Sequence, residues 1–162
     1  MPLIAWTNQM SVGVKLLDND HRKLVLRINE LHEGLMTGRA KPELGLAFER
    51  LVRCARVHFA HEERLFAETG YRDAAAHQQV HKEMIEKIKY LHVQFKFATE
   101  IAVELELMSQ LKVWLFSHLH SADQDYIAHL QGKNFDPLLG SWTTSGGTHA
   151  KRATVKAEAS AA

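Results

Sequence analysis

Apolar side chains recur every three or four residues through most of the chain, a spacing that predicts amphipathic α-helices rather than strands. Four segments carry such a stripe, at residues 21–35, 47–65, 77–95 and 107–118. Gly38 and Gly70 suit the position after a helix, Pro42 suits a first helical turn, and Asp73 suits an N-cap. We expect the fourth helix to begin near residue 99 and to continue to Gly132.

Long helices joined by short connections favour antiparallel neighbours. The predicted fold is therefore all-α, an up-down-up-down four-helix bundle preceded by an N-terminal arm over residues 1–17. We expect a single domain over residues 1–138. Residues 139–162 are mostly small and polar and continue no apolar stripe, so they are predicted to form a flexible, disordered tail.

Polar side chains of the types that bind metals lie on these apolar stripes. They are His21, His58, Glu62, His77, His81, His118 and Asp123. The pairs His58–Glu62 and His77–His81 are spaced i,i+4, which places both members on one helix face. Burial of unpaired polar groups costs several kcal/mol, a cost that a buried metal would remove. Five imidazoles and two carboxylates exceed the four ligands of zinc and favour two iron or manganese ions.

The same pattern has a plainer interpretation, because a chain with 11 histidines contains some i,i+4 pairs by chance. His21 considered alone is more typical of a core histidine. Six further histidines are interpreted as groups on the surface or behind the ligands: His32, His61, His92, His120, His129 and His149. Cys54 precedes His58 by one turn and could face the site, although a small buried cysteine is common.

One spacing fits a regular helix poorly. His118 and Asp123 are five residues apart, which corresponds to about 140° around a helix. Either the two side chains reach the site from opposite flanks, or a local π-type turn brings them into line. Tyr126 follows Asp123 by about one turn and could hydrogen-bond a group behind the ligands.

Four segments of residues 2–138 resemble the hemerythrin family, in particular single-domain bacteriohemerythrins. They read LLDNDHRKLV, HFAHEE, HQQVH and WLFSHLHSADQDY. The resemblance implies that His77, His81 and His118 hold one iron ion and that His21 and His58 hold a second. It also implies that Glu62 and Asp123 bridge the two irons, together with an oxo or hydroxo group.

These ligands leave one of about twelve coordination positions open, on the iron held by two histidines. The resemblance implies that O2 binds there reversibly. A dry, apolar pocket would favour that reversibility. Four large apolar residues beside the candidate ligands are expected to wall it, although their spacing also suits ordinary core packing: Phe59, Trp114, Leu115 and Leu119.

Bulk properties exclude several other classes of protein. A formal net charge of +1 gives no field that would attract nucleic acid. No apolar run approaches the length of a membrane span, and the N-terminus lacks the pattern of a secretory signal. The single cysteine fits a reducing compartment, so we expect a cytoplasmic protein. Charge on the outward helix faces favours a monomer.

The favoured function is reversible oxygen binding by a protein that is not an enzyme, for storage or for delivery to an oxygen-consuming enzyme. A di-iron oxidase, peroxidase or nitric oxide reductase is a second possibility. The chain lacks the Glu-x-x-His pairs that ferritin-type di-iron proteins use. A sensor of oxygen, iron or nitric oxide would need a separate output partner. A metal-free phosphotransfer bundle would leave six inward polar groups unexplained.

Overall fold

The computed structural model describes residues 1–119, 123–130, 133–136 and 141–144. A short 3-10 turn at Asn8–Met10 precedes five α-helices in this part of the chain. The helices are α1 (Lys15–Met36), α2 (Lys41–Thr69), α3 (Ala74–Phe97), α4 (Ile101–Ser117) and α5 (Gln124–Leu130). No helix among the described residues is long and apolar enough to cross a lipid bilayer.

Apart from the end of the fourth helix, the predicted helix boundaries agree with the structure to within a few residues. Gly38 and Gly70 adopt the left-handed conformation, with φ of 71° and 68°, which favours glycine after a helix. Asp73 occupies the N-cap position of α3, but its side chain makes no capping hydrogen bond. The N-terminal arm is shorter than predicted, because α1 begins at Lys15.

The four long helices form the predicted antiparallel bundle. The contacts of α1 with α2, α2 with α3, α3 with α4 and α4 with α1 close the bundle into a square. The main apolar core runs along its axis and includes fully buried Ile28, Leu51, Ile88 and Leu111. A smaller core at one end joins the start of α1 to the end of α2 and to α5. The candidate ligands lie at that end.

The fourth predicted helix is interrupted, so the expectation of one helix reaching Gly132 is wrong. α4 ends at Ser117, and residues 118–119 form a π-type turn. The backbone N–H of Asp123 donates to the carbonyl oxygen of His118 at 3.1 Å, an i→i+5 bond of the kind that defines a π turn. The structure therefore contains the π-type alternative, and it returns Asp123 to the interior. Gly132 itself lies outside the described residues.

Two short strands follow the bundle, and the sequence analysis did not predict them. β1 (Lys133–Asp136) pairs antiparallel with β2 (Ser141–Thr144), with Phe135 opposite Trp142, and β1 contacts α1. The predicted tail from residue 139 therefore differs from the structure at β2, where tryptophan and threonine have strand propensity. Residues 145–162 lie outside the described part of the chain.

Candidate metal centre

The structure brings all seven predicted ligand residues to one place. α1 contributes His21, α2 contributes His58 and Glu62, and α3 contributes His77 and His81. The π turn after α4 contributes His118, and the residue before α5 is Asp123. All seven are buried, and the most exposed, His77, retains 6% of its accessible surface. Each long helix or its end therefore supplies at least one donor to a single interior cluster.

Asp123 and three histidines form one half of the cluster. Nε2 of His58 lies 3.2 Å from Nε2 of His21 and 3.0 Å from Nε2 of His118. The carboxylate of Asp123 lies between two of these rings, with Oδ2 3.1 Å from His21 Nε2 and Oδ1 3.2 Å from His118 Nε2. One carboxylate thus presents one oxygen to each of two imidazoles that come from different helices.

Glu62 occupies the centre of the cluster. Its Oε2 atom lies 2.9 Å from Nε2 of His81 and 3.5 Å from Nε2 of His77. The same oxygen lies 3.6 Å from Nε2 of His58 and 3.7 Å from Nε2 of His118. All five imidazoles therefore point the same ring nitrogen toward the shared carboxylates, as metal-ligating histidines would.

The donor atoms fall into two overlapping groups. His21, His58, Glu62, His118 and Asp123 each offer an atom within 4.8 Å of the others, and so do His77, His81 and His118. The second group is the set of three histidines that the family resemblance assigns to one iron. Two overlapping groups with carboxylates at their centre have room for a pair of ions.

Several buried polar atoms at the centre lack a hydrogen-bond partner among the described residues. Both carboxylate oxygens of Asp123 and Nε2 of His77 are in this state. An unpaired polar atom in the interior costs about 1–3 kcal/mol, and native proteins seldom leave several together. A cation bound between these atoms would satisfy them, so the donor set fits a metal pair.

Burial keeps three imidazoles of the cluster neutral. Burial lowers the pKa of His21, lowers that of His58 well below its ordinary value, and lowers that of His118 to about 3. A neutral imidazole has the free lone pair that a metal requires. Burial, followed by the charge of Glu62, raises the pKa of Asp123 well above its ordinary value. A nearby cation would oppose that rise by favouring the ionised carboxylate.

Of the two carboxylates in the cluster, Glu62 is the one that its surroundings stabilise as an anion. Burial alone would raise its pKa. The nearby rings of His58, His77 and His81 outweigh burial and hold the pKa of Glu62 well below its ordinary value. The hydroxyl of Tyr126 also donates a hydrogen bond to Oε1 of Glu62. Tyr126 therefore hydrogen-bonds a candidate ligand itself, whereas the sequence analysis expected it to bond a group behind the ligands.

Glu63 is a functional candidate that the sequence analysis missed. Nδ1 of His81 donates to Oε1 of Glu63 at 2.9 Å, on the opposite side of the ring from the cluster. A carboxylate in this position fixes the orientation of a metal-ligating histidine and increases its basicity. The available signal was the second glutamate in HFAHEE, which follows a ligand directly.

The four predicted pocket residues are all buried beside the ligands or in the adjoining core. The ring of Phe59 stacks on His81 with centroids 4.0 Å apart and planes 9° apart, and its centroid lies 5.1 Å from that of His118. Leu115 and Leu119 are fully buried in the main core. Trp114 donates from Nε1 to the carbonyl oxygen of Met84 at 3.1 Å. Apolar surface thus adjoins the cluster.

The structure changes the interpretation of two residues. Cys54 does not face the cluster. It lines a cleft between α1 and α2 with Asp20 and Arg53, while Ala55 takes the inward position. His92 is half-buried away from the ligands, with its ring stacked on Phe48 and its Nε2 atom buried.

The other histidines outside the cluster agree with their interpretation where the structure describes them. Nδ1 of His61 lies 2.5 Å from Oδ2 of Asp20, the neighbour of a candidate ligand. Nε2 of His129 lies 2.9 Å from the hydroxyl of Thr69, and His32 is half-buried. His120 and His149 lie outside the described residues.

Comparisons with known proteins agree with this fold and cluster. Residues 12–130 match the hemerythrin HHE cation-binding domain family. A bacteriohemerythrin from Stenotrophomonas maltophilia is 32% identical over 146 residues, which cover 88% of this chain and 94% of the relative. The myohemerythrin of Theromyzon tessulatum is 25% identical over 121 residues, covering 75% and 88%. The crystal structure of wild-type hemerythrin superposes with a TM-score of 0.68 at 25% identity, covering 79% of this chain and 98% of that one.

The bundle with its cluster of histidines and carboxylates defines a cation-binding protein of the hemerythrin class. The chain belongs to the hemerythrin family, which is known for oxygen binding at a di-iron site.

Proposed function

We propose that the cluster holds two iron ions and that the protein binds O2 reversibly. In this assignment His77, His81 and His118 hold one ion, and His21 and His58 hold the other. Glu62 and Asp123 would be shared by the two ions. When bound, the two irons supply the electrons that reversible oxygen binding requires.

The single observation that supports this proposal best is the convergence of five imidazole Nε2 atoms on two shared carboxylates. Mixed nitrogen and oxygen donors without thiolate suit iron or manganese. The carboxylates of Glu62 and Asp123 each lie near histidines of both proposed ion sites. A histidine-rich donor set differs from the carboxylate-rich sets of ferritin-type di-iron proteins, which favours a carrier over an oxidase.

The protein around the cluster has two tasks in this function. Glu63 and Tyr126 hold the ligands His81 and Glu62 in orientation through one hydrogen bond each. Phe59, Trp114, Leu115 and Leu119 are proposed to form the apolar wall of the oxygen pocket, and by excluding water they would limit side reactions of the bound ligand.

The physiological role proposed here is oxygen storage or delivery to an oxygen-consuming enzyme. The protein is proposed to work in the cytoplasm and not to act as an enzyme itself. A sensor of oxygen, iron or nitric oxide, and a di-iron oxidase or peroxidase, are the alternatives that the experiment below separates from a carrier.

The decisive experiment is an optical spectrum of the iron-loaded protein, recorded without oxygen, after oxygen addition, and after oxygen removal under argon. We expect a visible charge-transfer band that appears with oxygen and disappears under argon. His77→Ala should lower the iron content and weaken the band. His92→Ala is the matched control, because His92 is a partly buried histidine outside the cluster, and it should leave both unchanged.

A single irreversible change to a ferric spectrum would contradict the carrier and favour oxidase or sensor chemistry. Repeated turnover with a reductant, much faster than autoxidation, would identify an enzyme. Failure of the anaerobic protein to take up iron would overturn the proposal altogether.

A further inference from the structure

A surface cleft between α2 and α3 lies directly behind the candidate metal centre. Its volume is about 480 Å³, within the range of small-molecule sites. Its floor includes Phe59 and His81, whose rings stack face to face, and Glu63, which accepts the hydrogen bond from His81. A molecule in this cleft would therefore contact the outer side of a ring whose inner nitrogen faces the metal cluster.

The cleft combines an apolar floor with a cationic rim. Phe59, Ala60 and Ile85 supply the apolar surface, while Arg56, Lys82 and Lys89 stand around it. Such a combination suits a molecule that has an apolar body and an acidic group.

The charges of the rim are only partly neutralised by the protein. Glu86 pairs with Lys89 at 2.5 Å, and Glu63 is engaged by His81. Arg56 and Lys82 have no ion-pair partner among the described residues, and both stand at the cleft. The lining of the cleft carries three cations and two carboxylates, a net charge of +1, and an anion placed between Arg56 and Lys82 would interact with two cations that form no ion pair among the described residues.

We propose that the α2–α3 cleft is a binding site for an organic anion with an apolar body, such as an aromatic sulfonate or a medium-chain carboxylate. The anionic group lies between Arg56 and Lys82, and the apolar body covers Phe59, Ala60 and Ile85. The site opens to solvent on the outer side of the His81 ring, and of the four proposed oxygen-pocket residues it contains Phe59 alone. The inference goes beyond oxygen binding and does not depend on it.

Fluorescence titration of the iron-loaded, oxygen-free full chain with anilinonaphthalene sulfonate tests the proposal. The probe carries both features, a sulfonate and an aromatic body, and its emission rises in an apolar site. We expect a saturable rise with one probe per chain. Sodium octanoate should displace the probe, because it shares the acidic group and the apolar body. Inorganic phosphate should not displace it, because it lacks the apolar body.

Two variants locate the site without disturbing the core. Lys82→Glu replaces an attraction by a repulsion and should weaken probe binding by about tenfold. Lys87→Glu is the matched control, because it makes the same charge change on α3 outside this cleft and should leave the affinity unchanged. Ala60→Trp fills the cleft from an exposed position and should abolish binding.

The proposal is overturned if no saturable emission appears, or if octanoate fails to displace the probe. It is also overturned if Lys82→Glu and Ala60→Trp bind as the unaltered chain does, which would place the probe elsewhere, for example near exposed Phe97. Because the readout is probe emission, these results are independent of whether the iron pair binds oxygen.

Discussion

The hydroxyl of Tyr126 on α5 donates a hydrogen bond to Oε1 of Glu62 on α2, and the other oxygen of that carboxylate lies 2.9 Å from Nε2 of His81. Tyr126 and Glu62 are both completely buried. The short helix after the π turn thus completes the surroundings of a carboxylate that belongs to a different helix. One hydrogen bond couples the end of the bundle to the centre of the cluster.

Tyr126→Phe should loosen Glu62 while preserving the packing of the ring against Phe66. A hydrogen bond to a charged group contributes about 1.5–3 kcal/mol, so the iron-loaded protein should lose stability of that order. Iron should also pass to a chelator faster than from the unaltered chain. Thermal unfolding and the rate of chelator-driven iron loss measure the two effects.

Tyr90→Phe is the control for this change, because Tyr90 is an exposed tyrosine on α3, 55% accessible. It removes the same hydroxyl from a ring outside the cluster and should change neither quantity. Equal rates of iron loss from the two variants would show that the bond to Glu62 does not hold the proposed bridging carboxylate.

Glu63→Gln tests whether the carboxylate behind His81 positions that ring. The glutamine keeps the size of the side chain but replaces a charged acceptor by a neutral one. Loss of such a partner typically reduces metal affinity by about 10- to 100-fold, and we expect the lower end because a neutral hydrogen bond remains. The iron dissociation constant from competition with a chelator gives the magnitude.

A merely structural role for Glu63 would leave iron binding intact. Glu83→Gln supplies the comparison, since Glu83 is an exposed carboxylate on α3 that accepts a hydrogen bond from Gln79 at 3.0 Å. It makes the same charge change away from the cluster. If both variants bind iron as tightly as the unaltered chain does, the hypothesis that Glu63 orients His81 for metal binding is wrong.

The periodicity of apolar residues predicted the bundle, and the polar residues on the apolar stripes predicted the seven cluster residues. Neither pattern could determine which of two adjacent residues on a helix faces the interior. Cys54 lies three residues after Leu51 and four before His58, whereas Ala55 lies four after and three before. Both spacings suit a helix with 3.6 residues per turn, so the sequence alone could not choose the inward residue. In the folded chain, the packing of α2 against its neighbours buries Ala55 in the interior.

Features that depend on three-dimensional contacts were also beyond the sequence. Glu63 contacts the His81 ring because that ring, on another helix, points its Nδ1 atom toward Glu63. No local sequence pattern predicts the orientation of a ring on a different helix. The π turn at His118 could be stated only as one of two alternatives, because the spacing to Asp123 is compatible with either. β1 lies at the end of the predicted domain and β2 lies in the predicted tail, so composition alone gave no reason to expect these two segments to pair.

The metal-free protein should lose stability as the pH falls below about 6.5, the ordinary pKa of histidine. Burial lowers the pKa of His21, His58 and His118 in the folded chain. Below 6.5 the unfolded chain therefore binds protons at these imidazoles that the folded chain does not. Asp123 acts in the opposite sense, because its raised pKa lets the folded chain hold a proton that the unfolded chain releases above 3.8.

Unfolding then takes up protons on balance, so the free energy of unfolding should fall as the pH falls below about 6.5, with a slope set by the number of protons taken up. Urea unfolding of the metal-free protein at several values between about pH 7.5 and 5 measures this slope. Iron loading should flatten the upper part of the profile, because bound metal excludes protons from the same nitrogens. A midpoint that stays constant or rises as the pH falls would contradict the neutral state of the buried imidazoles.

Leu115→Ala should increase the rate at which the oxygenated protein autoxidises, because the proposed oxygen pocket would gain space for water. Leu115 is fully buried one turn before His118. The substitution should also cost about 2–5 kcal/mol of stability through the cavity it creates. Leu111→Ala is the control, since Leu111 is equally buried on α4 but a further turn from the cluster. We expect both variants to lose similar stability but only Leu115→Ala to lose its oxygenated spectrum faster. That result would show that the Leu115 side chain limits the access of water to the oxygen pocket. Equal decay in both variants would mean that general loosening of the core, and not the wall at Leu115, controls autoxidation.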